Sequence, residues 1–367
     1  MPTTPLITLR DLAAKLKVSH TTVSLALRNS PTISAARRKE VKRLAAQMGY
    51  RPDPMLSSLA FYRQRHRQAK IQSALAWINR WEPPEKLRSF HEFDLYWRGA
   101  LQAAERFGYH LDEIRWAAGG SPQRVEQILK TRNIRGLLIP PHQHKVASNW
   151  GDFSWNKFSI IRFGMSVPEP DTHIVTADQQ RAVLMAFRKM SEYGYERIGL
   201  VMGVDYDSRM GGNFIGGLAA AKDLFKLNLI GGLAVAQDLF RLKHILPPLR
   251  TNEDVYYQNP ALAKRLLSQW LTKHRPDAIL TSESSVPGMI RELGFRVPKD
   301  IAIAGTTIYD VPVEAGINQN PEAIGRTAVE ALIAQINRNE LGVPDTPSRI
   351  LVESSWQDGK SLPVKTW

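Results

Sequence analysis

The chain has 367 residues, no cysteine and a formal net charge of +14, of which +11 falls within residues 1–70. That length suits a small head and a two-lobed body, and the charge asymmetry is that of a nucleic-acid-binding head on a near-neutral body. A disulfide framework and cysteine-ligated zinc are excluded, and no apolar run reaches membrane-spanning length or forms a signal-peptide core, so a cytoplasmic protein without a membrane partner is expected.

The first element is a helix opened by Thr8, with Asp11 three residues on as an acidic variant of a capping box. Leu9, Leu12, Ala13 and Leu16 recur at helical spacing on one face, and Lys17 ends it. Ser19 caps a second helix, Ser19–Leu27. Its Val23, Ala26 and Leu27 turn inward and its His20, Thr21, Thr22, Ser24 and Leu25 lie outward or at the edge. Asn29-Ser30-Pro31 breaks the chain. Ser34 then caps a third helix, ended by Gly49, whose apolar side is Ile33, Val41, Leu44, Ala45 and Met48. Two helices across a very short turn predict a helix-turn-helix whose second helix enters the major groove by its N-terminal end. Hydroxyls and the His20 imidazole hydrogen-bond base edges there, Leu25 offers apolar contact to a thymine methyl, and Arg28 reaches a guanine or a phosphate. A helical dimerisation or docking module would share the pattern.

The stretch Thr8–Pro54 resembles the head of the LacI/GalR family of bacterial transcription regulators. Val18–Leu27 reads as the family's "VSxxTVSxxL" and Gly49–Pro54 as its "GYRPxP", which brings in Arg51. The resemblance implies a head over residues 1–54, a hinge over 55–72 and an effector-binding, dimerising body over 73–367. It implies double-stranded operator DNA and a second copy of the chain as partners. It also implies a hinge leucine, Leu59 here, wedged between base pairs in the minor groove, where such a wedge kinks the duplex. Four positions depart from the family: Leu25 replaces a common arginine, Arg28 an asparagine, and Leu56-Ser57 the "AR" pair of the hinge.

From Ser73 short apolar runs alternate with helical stretches. Strands are expected at Ala74–Ile78, Gly136–Ile139, Ser159–Phe163, Ile198–Met202, Ala278–Thr281 and Ile301–Ala304. Helices are expected at Asp94–Gly108, Pro122–Lys130, Gln180–Tyr193, Pro260–His274 and Ser285–Leu293. The fold class is therefore an all-α helix-turn-helix head followed by a two-lobed α/β body with mostly parallel sheets, and a cleft at the strand ends takes the ligand. The resemblance extends through Asn133–Pro140, Tyr193–Val201, Pro276–Leu280, Leu293–Gly305 and Ile317–Leu332, and implies a body of periplasmic-binding-protein type. Lobe 1 is then about 73–175 plus 308–340, and lobe 2 about 176–307 plus the C-terminal strands.

Five residues are candidates for the effector site. Arg209 and Asp178 match family ligand positions, and Asp178 alternatively caps the helix that follows. Ser284 and Thr307 stand where the family carries acids, in Glu283-Ser284 and Gly305-Thr306-Thr307-Ile308. Trp81, just past a strand end, is placed to stack on a sugar face, with core packing as the alternative. No catalytic, metal or cofactor motif is present: there is no GxSxG, HExxH, Walker loop or dinucleotide fingerprint. The expected function is a DNA-binding transcription regulator, a repressor responsive to a small molecule such as a sugar, with an effector-independent architectural DNA-binding protein as the alternative.

One segment stands apart. Asn213–Leu227 and Asn228–Leu242 agree at eleven of fifteen positions. A fifteen-residue period would rotate the apolar stripe of a continuous helix by about 60°. The paired glycines in each copy predict a break, with a second helix docked beside the first.

Overall fold

The computed structural model describes residues 7–27, 30, 32–50, 73–117, 119–143, 149–229, 244–251 and 253–365. In the head, α1 (Leu9–Leu16), α2 (His20–Leu27) and α3 (Ala35–Gln47) enclose Leu12, Ala13, Val23, Ala26, Val41 and Ala45. The capping box forms as expected: the Thr8 N–H donates to Asp11 Oδ2 at 2.7 Å and Asp11 N–H to Thr8 Oγ1 at 3.4 Å. Lys17 turns left-handed to end α1, and Gly49 does the same after α3 at φ +70°.

The body begins with β1 (Ser73–Asn79), α4 (Lys86–Ser89), α5 (His91–Arg106), β2 (Tyr109–Arg115), α6 (Pro122–Thr131), β3 (Gly136–Ile139), β4 (Ser159–Phe163) and β5 (His173–Ala177). It continues through α7 (Gln179–Glu192), β6 (Arg197–Gly203), α8 (Val204–Arg209), α9 (Asn213–Leu229), β7 (His244–Ile245), β8 (Leu249–Thr251), α10 (Glu253–Gln258), α11 (Pro260–His274) and β9 (Ala278–Thr281). It closes with α12 (Val286–Glu292), β10 (Ala302–Gly305), β11 (Gly316–Asn318), α13 (Pro321–Arg338), β12 (Arg349–Val352) and β13 (Ser355–Gln357). The strands make two sheets, β12-β5-β4-β3-β1-β2 and β13-β11-β10-β9-β6-β7, with β8 also on β6. All pairs are parallel except β11 with β13.

Pairing refines the expected lobes. The return to the first lobe starts at α13, not at residue 308, because β11 joins the second sheet and Ala315 and Ile317 pack in its core. Of the last two strands only β13 belongs to lobe 2, since β12 pairs with β5. The chain thus crosses between lobes three times, near Asp178, Gln319 and Glu353. The crossings are bonded together: Asp178 N–H donates to Val352 O at 3.0 Å and Asn320 Nδ2 to Glu353 O at 2.6 Å.

In lobe 1, α5 and α13 cover one sheet face around Trp77, Tyr96, Phe163, Ala328 and Leu332. They cross at glycine. A Cβ on Gly99 would lie 2.1 Å from Glu322 O, and one on Gly325 2.1 Å from Tyr96 O. Backbone contact this close fixes where α5 begins, at the mouth of the cleft.

The expected break in the duplicated segment does not occur at the first glycine pair. α9 runs without interruption through Gly216-Gly217 and past the copy boundary to Leu229. Gly217 serves packing instead, because a Cβ there would sit 2.6 Å from Gln180 O on α7. The rest of the second copy, residues 230–242, with its glycine pair and the expected second helix, lies outside the described residues.

Candidate functional sites: the reading helix and the interlobe cleft

Ser19 opens α2 by accepting the Thr22 N–H at 3.1 Å, and the two hydroxyls lie 2.9 Å apart. Cap duty thus occupies both side chains locally and leaves His20, Thr21 and Leu25 as the exposed row of the helix, with Ser24 half-buried. Leu25 keeps 36% of its surface in water, an apolar group with no place in the head core. The outward placement expected of His20, Thr21 and Leu25 is found. Thr8 is exposed and bound to Asp11. Arg28, Arg51 and Leu59 lie outside the described residues.

The cleft is built where strand ends of the two sheets meet. In the first sheet the chain leaves β1 for β2 on one side and returns to β3 on the other. The crevice of this sheet therefore opens between the ends of β1 and β3. Asn79 ends β1 and shapes the following turn: its Oδ1 accepts the Trp81 N–H at 2.9 Å, while its amide donates to Pro84 O and Glu113 Oε1. This turns Trp81 inward. Its ring packs on Phe90 and Phe93, and its Nε1 donates to Pro141 O at 2.7 Å. At 4% exposure Trp81 is core, so the stacking platform expected of it is not presented in this conformation. Aromatic neighbours and a backbone acceptor take both the ring and its N–H.

Several contacts between described residues join the lobes. Asp310, in the loop after β10, accepts the N–H groups of His91 and Glu92 at 2.9 and 3.3 Å and so caps α5 from the opposite lobe. His91 lies against the Tyr309 ring at 5.4 Å. Arg209, at the end of α8, donates from Nη2 to the His142 carbonyl.

Around these contacts lies a group of acids and hydroxyls. Glu92 is buried, accepts the Tyr96 hydroxyl at 3.2 Å, and is hydrogen-bonded by Thr307. Burial, and then the nearby charge of Asp310, pushes its carboxyl up to about 7; the Thr307 and Tyr96 bonds oppose the shift. Tyr206 of α8 is raised well above the usual phenol range by loss of water and by the charges of Glu92, Glu283 and Asp310. Glu283 is buried at the end of β9, where it accepts Gly203 N–H at 2.8 Å and Ser282 Oγ at 3.0 Å.

Of the five expected effector residues, the structure brings Arg209 and Thr307 into this cleft, with Trp81 behind its wall. Ser284 is exposed, next to the buried Glu283. Asp178 caps α7, with Oδ1 accepting the Arg181 N–H at 3.0 Å, and so takes the helix-cap alternative at the first crossing. The expectation did not include Arg80, Glu92, His142, Tyr206, Glu283 or Asp310. For Arg80 and Glu283 a signal existed: Arg80 is a charged residue directly after an apolar strand, and Glu283 follows one at two residues' distance. Among the described residues no group of three or more His, Asp or Glu side chains is placed to hold a metal ion. None of their helices is long and apolar enough to cross a membrane.

Residues 8–53 match the family described as bacterial regulatory proteins, lacI family, and residues 234–362 match a periplasmic binding protein-like domain. Over 55 residues the chain is 46% identical to the probable HTH-type transcriptional repressor ExuR of Bacillus subtilis (strain 168), covering 15% of this chain and 16% of that protein. Over 48 residues it is 48% identical to the HTH-type transcriptional repressor CytR of Escherichia coli (strain K12), covering 13% and 14%. The chain thus spans about one sixth of the length of the curated relatives it matches, the part that is the head. Solved structures share the whole fold. A transcriptional regulator CelR–cellobiose complex superposes with a TM-score of 0.55 at 20% identity, over 97% of this chain and 99% of that one. The Lac repressor dimer bound to operator and the anti-inducer ONPF superposes with a TM-score of 0.53 at 16% identity, over 98% and 100%.

Proposed function

We propose that this chain is a transcriptional repressor of the LacI type, not an enzyme, whose grip on operator DNA is modulated by a small molecule in the interlobe cleft; the match of residues 8–53 to the lacI family supports this reading. The observation that carries this reading is the exposed row His20, Thr21 and Leu25 on a capped second helix, held above a closed six-residue core. Such a row is positioned to meet base edges, and the basic residues of α3 supply phosphate contacts. The protein acts in the cytoplasm as a homodimer, so that two heads meet the two halves of an approximately palindromic operator. Arg28, Arg51 and the Leu59 wedge complete the DNA contacts, and a sugar or sugar derivative is the effector class.

The closed cleft supports the coupling. Asp310 and Arg209 reach from lobe 2 to lobe 1, so a ligand that binds one lobe closure better than another shifts the lobe equilibrium. The three bonded crossings carry that shift toward the hinge. The test is genome-wide mapping of bound DNA, followed by titration of the purified protein onto the recovered sequence. One dominant palindrome supports a specific repressor. Diffuse occupancy with no preferred site would replace it with the architectural reading.

A further inference from the structure

Beside the acidic side of the cleft the structure holds a second cluster of opposite character. Arg80 follows β1 and His142 follows β3, so both stand at the switch point of the first sheet. Both are buried, at 3% and 2% exposure. The Arg80 guanidinium spends one nitrogen: Nη2 donates to Asn149 O at 3.1 Å, while Nε and Nη1 have no hydrogen-bond partner. Its face lies over Trp150 at 4.4 Å and Trp116 at 5.6 Å. The His142 ring stacks on the same Trp150 at 5.3 Å, and its Nε2 also has no partner.

A buried guanidinium is ordinarily paired with a carboxylate, because an uncompensated charge in an apolar setting is expensive. Elsewhere in the same sheet Arg162 follows that rule, bonding Asp171 at 2.7 Å and the carbonyls of Val167, Pro168 and Thr172. Arg80 does not. Its only acidic influence is the field of exposed Glu82, and Arg209 of the other lobe adds a further cation beside His142. Burial, then the charges of Arg80 and Arg209, push the His142 imidazole down to about 3, so it stays neutral at physiological pH. With its proton on Nε2, the neutral ring would be a hydrogen-bond donor that adds no charge. Two guanidinium nitrogens and one imidazole nitrogen thus stand without a partner at the end of a crevice, and no acid among the described residues bonds them. Trp81 separates this cluster from Glu92 and Thr307, since its Nε1 bonds Pro141 O beside His142 and its ring packs on Phe90 beside α5.

We propose that the effector is a small hydroxylated organic anion, a sugar acid or sugar phosphate, whose negative group is bound by Arg80 and His142 while its hydroxyls face the acids and phenols across the cleft. This inference rests on the ligand-responsive reading above and names the ligand class of that same cleft. The planar fork of Arg80 suits a carboxylate or phosphate held by parallel hydrogen bonds. The bound anion supplies the partner that the buried guanidinium lacks, and that difference is what selects it over a neutral sugar.

The test titrates the purified full-length chain with glucuronate, gluconate, glucose 6-phosphate, inorganic phosphate and glucose. Calorimetry and tryptophan fluorescence report binding, because Trp116 and Trp150 border Arg80, and operator affinity is measured in parallel. At least one organic anion is expected to bind tenfold or more tightly than glucose. Glucuronate and gluconate against glucose 6-phosphate decide between carboxylate and phosphate. Arg80→Gln should weaken the best anion at least tenfold, with Arg80→Lys intermediate; the wild-type comparison with glucose stands even if neither variant folds. Glucose binding as tightly as every anion, anion affinity unchanged in a folded Arg80→Gln chain, binding by none of the anions, or inorganic phosphate alone would each overturn the proposal. An anion that binds through Arg80 without moving operator affinity supports the subsite and removes the repressor's ligand response instead.

Discussion

The reading helix and the cleft keep their functional side chains in opposite states. On α2, hydroxyls not needed for capping face water, and His20, Thr21 and Leu25 await a partner at no standing cost. In the cleft, Glu92, Arg80 and His142 are buried, and their polar groups answer one another across the lobes or go unanswered. On the proposed function, an exposed row of this kind is available to DNA as it stands. A closed, charged cleft carries a cost that ligand binding, protonation or opening relieves. Under the proposed function the contrast gives the two regions different parts: the head as a reader that is already exposed, the cleft as the element a ligand would act on.

The contrast breaks most visibly at the head core. Leu12 is fully buried among only six core residues, and Leu12→Ala should cost about 2–5 kcal/mol. A core this small cannot absorb that loss, so operator binding should vanish while circular dichroism of the body and its thermal transition persist. Retained operator affinity would show that the head does not stand on its own core.

In the cleft the corresponding test is titration. Glu92 ionises near 7 in the folded chain against an ordinary 4.5. Between those values the folded chain keeps a proton that the unfolded chain has released. Stability therefore falls as pH rises through this window, and the full cost is present above about 7. It is on the order of 3 kcal/mol. Glu92→Gln removes it. The variant body should be more stable than the wild type at pH 8, with the gap closing toward pH 4.5 in urea titrations. A gap independent of pH would mean that Glu92 is not held against ionisation.

The same contrast explains what was legible beforehand. Gly136–Ile139, Ser159–Phe163, Ala278–Thr281 and Pro260–His274 occupy the expected spans, because fully buried strands and a Pro-opened helix announce themselves in adjacent residues. β12 gave no such signal: its residues are mostly exposed, and pairing with β5 alone makes it a strand. α2 likewise holds its whole exposed row within eight residues, so one motif displays it. The cleft draws Arg80, Glu92, His142, Arg209, Thr307 and Asp310 from five separate stretches, and only the fold joins them. Gly217 misled for a related reason, since its role is a close approach to α7 that no local pattern records.

A cap in the head offers a smaller probe. Ser19→Ala removes the acceptor of the Thr22 N–H and should lower head stability by about 1 kcal/mol. Operator affinity should weaken several-fold as the start of α2 frays, as read by titration at fixed salt. Unchanged affinity would mean that DNA itself orders that turn.

The smallest expected effect falls on the crossing between lobes, and it separates a cap from a ligand contact. Asp178 accepts the Arg181 N–H at the start of α7, a duty that serine performs about as well. Asp178→Ser should therefore change body stability by less than about 0.5 kcal/mol and leave effector affinity where it was. Asp178→Ala should lose about 1 kcal/mol, again without a selective loss of ligand. A carboxylate that touched the effector would behave differently, because serine restores a cap but not a charge. If Asp178→Ser keeps its stability and loses ligand binding, Asp178 belongs to the pocket after all. The cleft then extends to the crossing, and its ligand contacts are no longer confined to the strand ends.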